Sequence, residues 1–258
     1  MNLIRRLAKS GIVLFLGRES RPRKILRGLG SGYRISVSPA DNLAYLLGTA
    51  EPHLQRIIRE YVAAGATVYD IGANIGYVSL SLTKQVGAAG HVIAFEPIPR
   101  NANSFRQNIE LNRLTNVQLF EAAASDKCGE TVIRFAENLT TASLVWHRHD
   151  PAATELTIRT VVIDQLVETG DLRPPAFVKI DVEGAEGFVL QGMRRTIARA
   201  QPVVFIECSD SGRETSWQLL RELGYSCQSA VTRDPIRVFE DYRHADFLWL
   251  PARLAVNR

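Results

Sequence analysis

Between Thr67 and Gly76 the chain reads TVYDIGANIG, and no other stretch constrains its fold as tightly. The β-branched and aromatic residues of Thr67–Ile71 predict a short strand. Gly72 and Gly76 permit positive φ and let the backbone approach whatever lies opposite. Asn74, between them, is one of the few other residue types that tolerates left-handed geometry. Tyr77–Lys84 then carries helical patterning. A strand, a glycine loop and a helix in immediate succession open a βαβ unit, so a parallel sheet covered by helices is expected.

The alternation continues through the rest of the chain. Spacing predicts a helix over Leu54–Ala64 closed by Gly65, a strand over His91–Phe95, a helix over Asn103–Asn112 and a strand over Val117–Ala122. Strands are expected at Thr131–Phe135 and Leu156–Val162, with a short helix near Asp164–Glu168. A strand at Ala176–Ile180, a helix at Glu186–Ala200, a strand at Val203–Glu207 and a helix at Ser216–Leu223 follow. Arg237–Phe239 and Phe247–Leu250 read as late strands that finish the sheet. The pattern is α/β, a mostly parallel, doubly wound sheet, and 258 residues suit one such domain with decoration. Cys128, Cys208 and Cys227 are widely spaced and show no metal-like clustering, which reads as reduced thiols in a cytoplasmic protein.

Residues 1–50 read as a basic extension, helical as far as the Gly28-Leu29-Gly30 break, and residues 51–258 as the main domain. Arg5, Arg6, Lys9, Arg18, Arg21, Arg23, Lys24 and Arg27 stand there against a lone Glu19. The apolar run Gly11–Gly17 is far short of the roughly 20 residues that span a bilayer, and no small-residue cleavage site follows it. Two readings stay open: a basic amphipathic helix lying against the inner face of an anionic membrane, or a helix on the domain edge with solvated arginines. The second is preferred.

The loop also carries chemistry. A dinucleotide pyrophosphate asks for G-x-G-x-x-G ahead of a helix N-terminus. Here the pattern is G-x-N-x-G preceded by Asp70, an acid that repels phosphate but accepts a hydrogen bond from an ammonium or hydroxyl. That combination points to S-adenosylmethionine, which has an amino-acid end and no phosphate. About twenty residues on, the next strand ends in Glu96, placed to bond both ribose hydroxyls, and Pro97 fixes the exit. Taken alone, the loop is a tight strand–helix turn and Glu96 a solvated strand end; their spacing favours the nucleoside site.

The segments VYDIGANIGYVSL, VIAFEPIPRN, FEAAASDKCGE, FVKIDVEGAE and VVFIECS, in that order, resemble the FkbM-type methyltransferases. The resemblance spans about residues 45–210, including Thr49-Ala50-Glu51-Pro52. It implies a Rossmann-like class I methyltransferase fold and S-adenosylmethionine-dependent O-methylation. By position, Asp70, Gly72, Asn74 and Gly76 resemble the loop at the cofactor's amino-acid end, and Glu96 the ribose ligand. Ala123, Ala124 and Ser125 resemble the adenine-side wall, with Asp126 nearby.

Ligands in open parallel sheets bind beyond the carboxyl ends of the strands. Asp181 and Glu183 follow one such strand and Glu207 ends the next, so these three are the expected catalytic acids. Glu186 has a structural role available in the first helical turn. Two chemistries compete: a general base or orienting acid for an acceptor hydroxyl, or oxygen ligands to a divalent cation. The metal-free reading is preferred and no metal site is expected. Trp146-His147-Arg148-His149 reads as an exposed loop, or as a lid with Trp146 against an acceptor sugar. The expected acceptor is a hydroxyl of a glycan, glycolipid or small secondary metabolite. Nucleic-acid methylation is disfavoured because the Asn-Pro-Pro-Tyr signature is absent and the basic residues lie in the extension. A nicotinamide-dependent oxidoreductase and a non-catalytic S-adenosylmethionine-binding protein remain as alternatives.

Overall fold

A computed structural model of the chain describes residues 19–136, 153–182, 184–208, 211–242 and 245–255. The order begins with the antiparallel pair β1 (Arg21–Lys24) and β2 (Arg34–Val37), then α1 (Pro39–Leu47) and α2 (Pro52–Tyr61). The alternation follows as β3 (Thr67–Ile71), α3 (Tyr77–Val86), β4 (His91–Phe95), α4 (Pro99–Leu111) and β5 (Val117–Phe120). β6 (Ala123–Ala124), β7 (Gly129–Ala136) and β8 (Ala153–Val161) form a separate three-stranded sheet. Then come α5 (Ile163–Glu168), β9 (Phe177–Asp181), α6 (Glu186–Gly192), α7 (Arg194–Ala200), β10 (Val203–Cys208) and α8 (Arg213–Glu222). The chain closes with β11 (Ser226–Ser229), β12 (Pro235–Ile236), β13 (Ala245–Leu250) and α9 (Ala252–Ala255).

Eight strands make the central sheet, in the order β12-β11-β13-β10-β9-β3-β4-β5. β5, β4, β3, β9 and β10 run parallel to one another. β13 slots in antiparallel between β10 and β11. The chain winds outward from β3 to β5, then returns to the other side of β3 as β9. That reversal is a topological switch point, and it opens a crevice beyond the carboxyl ends of β3 and β9.

Strand side chains alternate between faces. Tyr69, Ile71, Ile93, Phe95, Val178, Ile180, Val204 and Ile206 pack on one face against Val189, Leu190, Ile197 and Leu220. Val68, Val92, Phe177, Val203 and Phe205 pack on the other against Leu54, Ile57 and Ile58 of α2 and Leu82 of α3. A ten-residue helix such as α2 is marginal alone. Burying Leu54, Ile57 and Ile58, each contributing about 1.5–3 kcal/mol, is what keeps it formed.

The structure corrects several expected elements. Arg21–Lys24 is a strand, not the end of a helix through residue 30, because Pro22 cannot sit in a helix interior. Ile25, Ile35 and Val37 bury against Leu46 of α1 and against Tyr77 and Leu80 of the domain. Residues 1–18 lie outside the described residues, as does the Trp146–His149 stretch. α2 and α4 begin earlier than expected, at Pro52 and Pro99, since proline is preset for the first helical turn. The expected Glu186–Ala200 helix divides at Met193, whose φ of −124° is not helical. The strand expected at Arg237–Phe239 is instead β12 followed by a 3₁₀ turn at Phe239–Asp241. β11 was not expected at all, its Ser-Cys-Gln-Ser sequence being polar.

One buried side chain ties the N-terminal segment to the domain. Gln55 on α2 accepts from the Leu29 amide (2.8 Å) and donates to the carbonyl of Ala50 (2.7 Å) and, at 3.3 Å, to the Tyr77 hydroxyl. Its amide is 5% exposed, so water cannot replace those partners. Gln55→Leu keeps the volume but orphans the Leu29 amide and the Ala50 carbonyl. It should destabilise the protein by about 2 kcal/mol or more, read as a lower midpoint in urea denaturation.

Candidate functional site

A cleft of about 270 Å³ lies at the switch point, where the carboxyl ends of β3, β4, β9 and β10 meet. Gly72 and Asn74 form one side of it, Glu96 and Ala123-Ala124 another, and Asp181 and Glu207 a third. Tyr45 and Glu51, from the N-terminal segment, close the remaining side.

The glycine loop is shaped by close backbone packing. Gly72 has φ +80°, and a Cβ there would stand 1.8 Å from the Asp181 carbonyl oxygen. Gly76, at φ +88°, faces the Phe105 ring, which a Cβ would meet at 2.1 Å. Asn74 adopts φ +52°, as its residue type permits. The amides of Gly72 and Ala73 both donate to the Phe95 carbonyl, at 3.0 Å each. The loop is thereby fixed to the end of β4 before any ligand arrives.

Glu96 continues that connection. Its Oε2 accepts from the Asn74 amide (2.8 Å), and its Oε1 accepts from the Ile98 amide (3.0 Å) and the Asn101 side chain (3.4 Å). The carboxylate is 4% exposed and lines the cleft. Burial raises its pKa, while the hydrogen bonds from Ile98 and Asn74 pull it back toward the ionised form. Such a carboxylate is oriented by the protein and still has lone pairs for ligand hydroxyls.

On β9, Lys179 and Asp181 fall on one sheet face, two residues apart. Lys179 Nζ donates to the Gly72 carbonyl (2.8 Å) and pairs with Asp181 (3.2 Å) and Asp70 (3.3 Å). Burial alone would lower the lysine's pKa, but the charges of Asp181 and Asp70 outweigh it, so Lys179 stays protonated. Asp70 is fully buried. Its Oδ2 accepts from Ser79 Oγ (2.5 Å), and its Oδ1 has the ammonium of Lys179 as its charge contact without a well-directed hydrogen bond.

Register places Asp181 beside Glu207 and Glu207 beside Asp246, a row of carboxylates across β9, β10 and β13. Burial, followed by the charge of Asp181, raises the pKa of Asp246, and His53 opposes the shift. Burial also raises Glu51, with the charges of Asp246 and Asp181 adding to it and Lys179 opposing. Tyr45 is stacked on Tyr77, centroids 4.3 Å apart, and burial raises its hydroxyl.

The expected site residues therefore divide. Gly72, Asn74, Glu96, Ala123, Ala124, Asp181 and Glu207 come together around the cleft. Asp70 does not reach it, being spent on Ser79 and Lys179, and Gly76 serves the turn into α3. Ser125 turns away: its hydroxyl donates to Asp126 (3.2 Å), and its carbonyl lies where a Cβ on Gly192 would fall, 1.9 Å off. Glu186 holds its own loop, accepting from the Gly184 amide (3.0 Å). Glu183 lies outside the described residues. Among the described residues, no three His, Cys, Asp or Glu side chains are grouped as a metal site. Lys179, Asp246, Glu51 and Tyr45 were not anticipated. A lysine inside an otherwise apolar strand was the available signal for the first.

The sheet order and the switch-point cleft define a class I methyltransferase fold. A family model for the methyltransferase FkbM domain matches residues 70–227, more than half of the chain, and the protein belongs to that family. It is 28% identical over 166 residues to the hexuronic acid methyltransferase AglP of Haloferax volcanii, covering 60% of this chain and 61% of that one. It is 25% identical over 180 residues to Methyltransferase 1 of Beauveria bassiana, covering 62% and 72%. The chain thus spans less than two thirds of the first relative. A solved methyltransferase FkbM from Methylobacillus flagellatus KT overlaps 96% of this chain and 59% of its own at 16% identity, with a TM-score of 0.44.

Lys179 gives the site its first test. Removing one partner of a buried ion pair costs about 3–5 kcal/mol, because the remaining charge stays buried. Lys179→Met should lower stability by that order in urea denaturation. Lys179→Met combined with Asp70→Asn should recover part of the loss; equal loss in both would mean that Asp70 does not need the lysine.

Proposed function

We propose that this protein is an S-adenosylmethionine-dependent O-methyltransferase acting on a hydroxyl of a glycan, glycolipid or small secondary metabolite. The carrying observation is Glu96: a buried acid at the end of β4, braced by two backbone amides and open to the cleft beside small Ala123 and Ala124. Those residues fit a nucleoside, with the carboxylate on the ribose hydroxyls and the alanines leaving room for a flat base. When bound, S-adenosylmethionine supplies an electrophilic methyl group on a sulfonium.

The charge of the cleft favours this ligand over a nicotinamide dinucleotide. Among the described residues lining the cleft and the recess beneath the glycine loop, Lys179 is the one lysine or arginine, and it faces Asp70, Asp181 and the Gly72 carbonyl. The other charged residues of the lining are the acids Glu51, Glu96, Asp181 and Glu207, which suits a cationic sulfonium and opposes a pyrophosphate. Asp181 and Glu207 act on the acceptor: they orient its hydroxyl and accept its proton as the methyl group is transferred. Glu183, two residues after Asp181 in sequence, is proposed for the same role. Transfer from a sulfonium depends mostly on alignment, so the two acids contribute chiefly by holding the nucleophile in line. No metal is required in this scheme. The relative from Haloferax volcanii is named for a hexuronic acid, which favours a sugar among the acceptors.

We place the protein in the cytoplasm, with its basic N-terminus available to an anionic membrane face. Among the described residues no helix is long and apolar enough to cross a membrane, and Cys128, Cys208 and Cys227 are free thiols.

Calorimetry tests the cofactor assignment. Wild-type protein should bind S-adenosylmethionine and not NAD, and Glu96→Ala should weaken binding at least tenfold, about 1.4 kcal/mol. Hydroxyls bond best to the ionised carboxylate, so wild-type affinity should rise as pH climbs through the raised pKa of Glu96. NAD binding, or unchanged affinity in Glu96→Ala, would contradict the reading.

A further inference from the structure

The cofactor reading leaves one group to be placed. The amino-acid end of S-adenosylmethionine belongs at the glycine loop, yet Asp70, the acid expected to take its ammonium, is fully buried behind that loop. We propose that Glu51 is the carboxylate that receives the cofactor's α-ammonium, reaching the cleft from the N-terminal segment rather than from the loop itself. This rests on the cofactor reading above.

Three observations of different kinds support Glu51. The first is position: it lines both the main cleft and the recess beneath the loop, together with Gly72, Asn74 and Asp181. The second is backbone strain. Glu51 has φ 50° and ψ 51°, left-handed for a residue that is neither glycine nor asparagine. It also precedes Pro52, and residues before proline prefer extended conformations. Strain of this kind persists where the surroundings enforce it, and it concentrates at ligand sites.

The third is an unused carboxylate. Glu51 occupies the N-cap of α2, where an acid ordinarily accepts a hydrogen bond from the helix's first amides, but its side chain makes no such bond. Among the described residues no group donates a hydrogen bond to that carboxylate. It is half-buried and feels the charges of Asp246 and Asp181. A partly desolvated acid among like charges is stabilised most by a cation brought to it. Tyr45, stacked on Tyr77 beside it, walls the same corner.

Three ligands separate the possibilities in one titration series. S-adenosylmethionine and S-adenosylhomocysteine both carry the ammonium, and only the first has a charged sulfur. 5′-Methylthioadenosine lacks the amino-acid end. Glu51→Gln should weaken the first two about tenfold or more and leave 5′-methylthioadenosine unchanged. Glu51→Gly, which relieves the left-handed strain, should melt at or above the wild-type temperature while showing the same loss of binding. Unchanged binding in Glu51→Gln would overturn the inference alone. Loss confined to S-adenosylmethionine would overturn it by placing Glu51 at the sulfonium, and equal loss of all three would overturn it as general damage to the cleft. Wild-type protein that binds none of the three would overturn the cofactor reading, and this inference with it.

Discussion

Lys179 is a cation almost wholly removed from water, set where two acids and a backbone carbonyl converge. Each contact belongs to a different part of the site: Asp70 to β3, Asp181 to the end of β9, and the Gly72 carbonyl to the glycine loop. An isolated buried ammonium would be expelled or would lose its proton. Here the neighbouring charges hold it protonated, and in return it fixes the spacing of the two strands flanking the switch point. The absence of a side chain at Gly72 lets the loop lie against the Asp181 carbonyl, so the loop and the acidic strand end are set as one unit. Glu96 performs the matching task on the other side, binding the loop's Asn74 to the exit of β4.

The strand–loop–helix core was legible because its signals are local. Thr67–Ile71 and His91–Phe95 match the observed strands to the residue, since apolar β-branched runs bounded by glycine or proline leave little choice. The N-terminal segment was misread where Pro22 should have forbidden a helix, and where the apolar positions at Ile25, Ile35 and Val37 meet the domain only in three dimensions. β11 was missed because it takes its burial from β13 and not from its own composition.

The cleft was legible in part, and the residues that support it were obscured. Glu96, Asp181 and Glu207 follow from the rule that strand ends carry function. That Asp70 turns inward was encoded in face parity: it shares a sheet face with Val68, and its register partner is Lys179. Asp246 was hidden by placing the start of its strand two residues late. Glu51 stood within the resemblance, in Thr49-Ala50-Glu51-Pro52, but nothing local placed it at the cleft, because its left-handed backbone is not announced by sequence. Tyr45 and Glu51 thus wall one side of the cleft, and their segment is joined to the domain through Gln55.

Everything assigned to the cleft depends on a nucleoside lying between Glu96 and the alanines of β6. A crystal structure with S-adenosylhomocysteine bound tests this directly. The account predicts ribose hydroxyls within hydrogen-bond distance of Glu96, the base against Ala123 and Ala124, and the amino-acid end over Gly72. A ligand seated outside this cleft, or with its ribose on Glu207 instead, would contradict it.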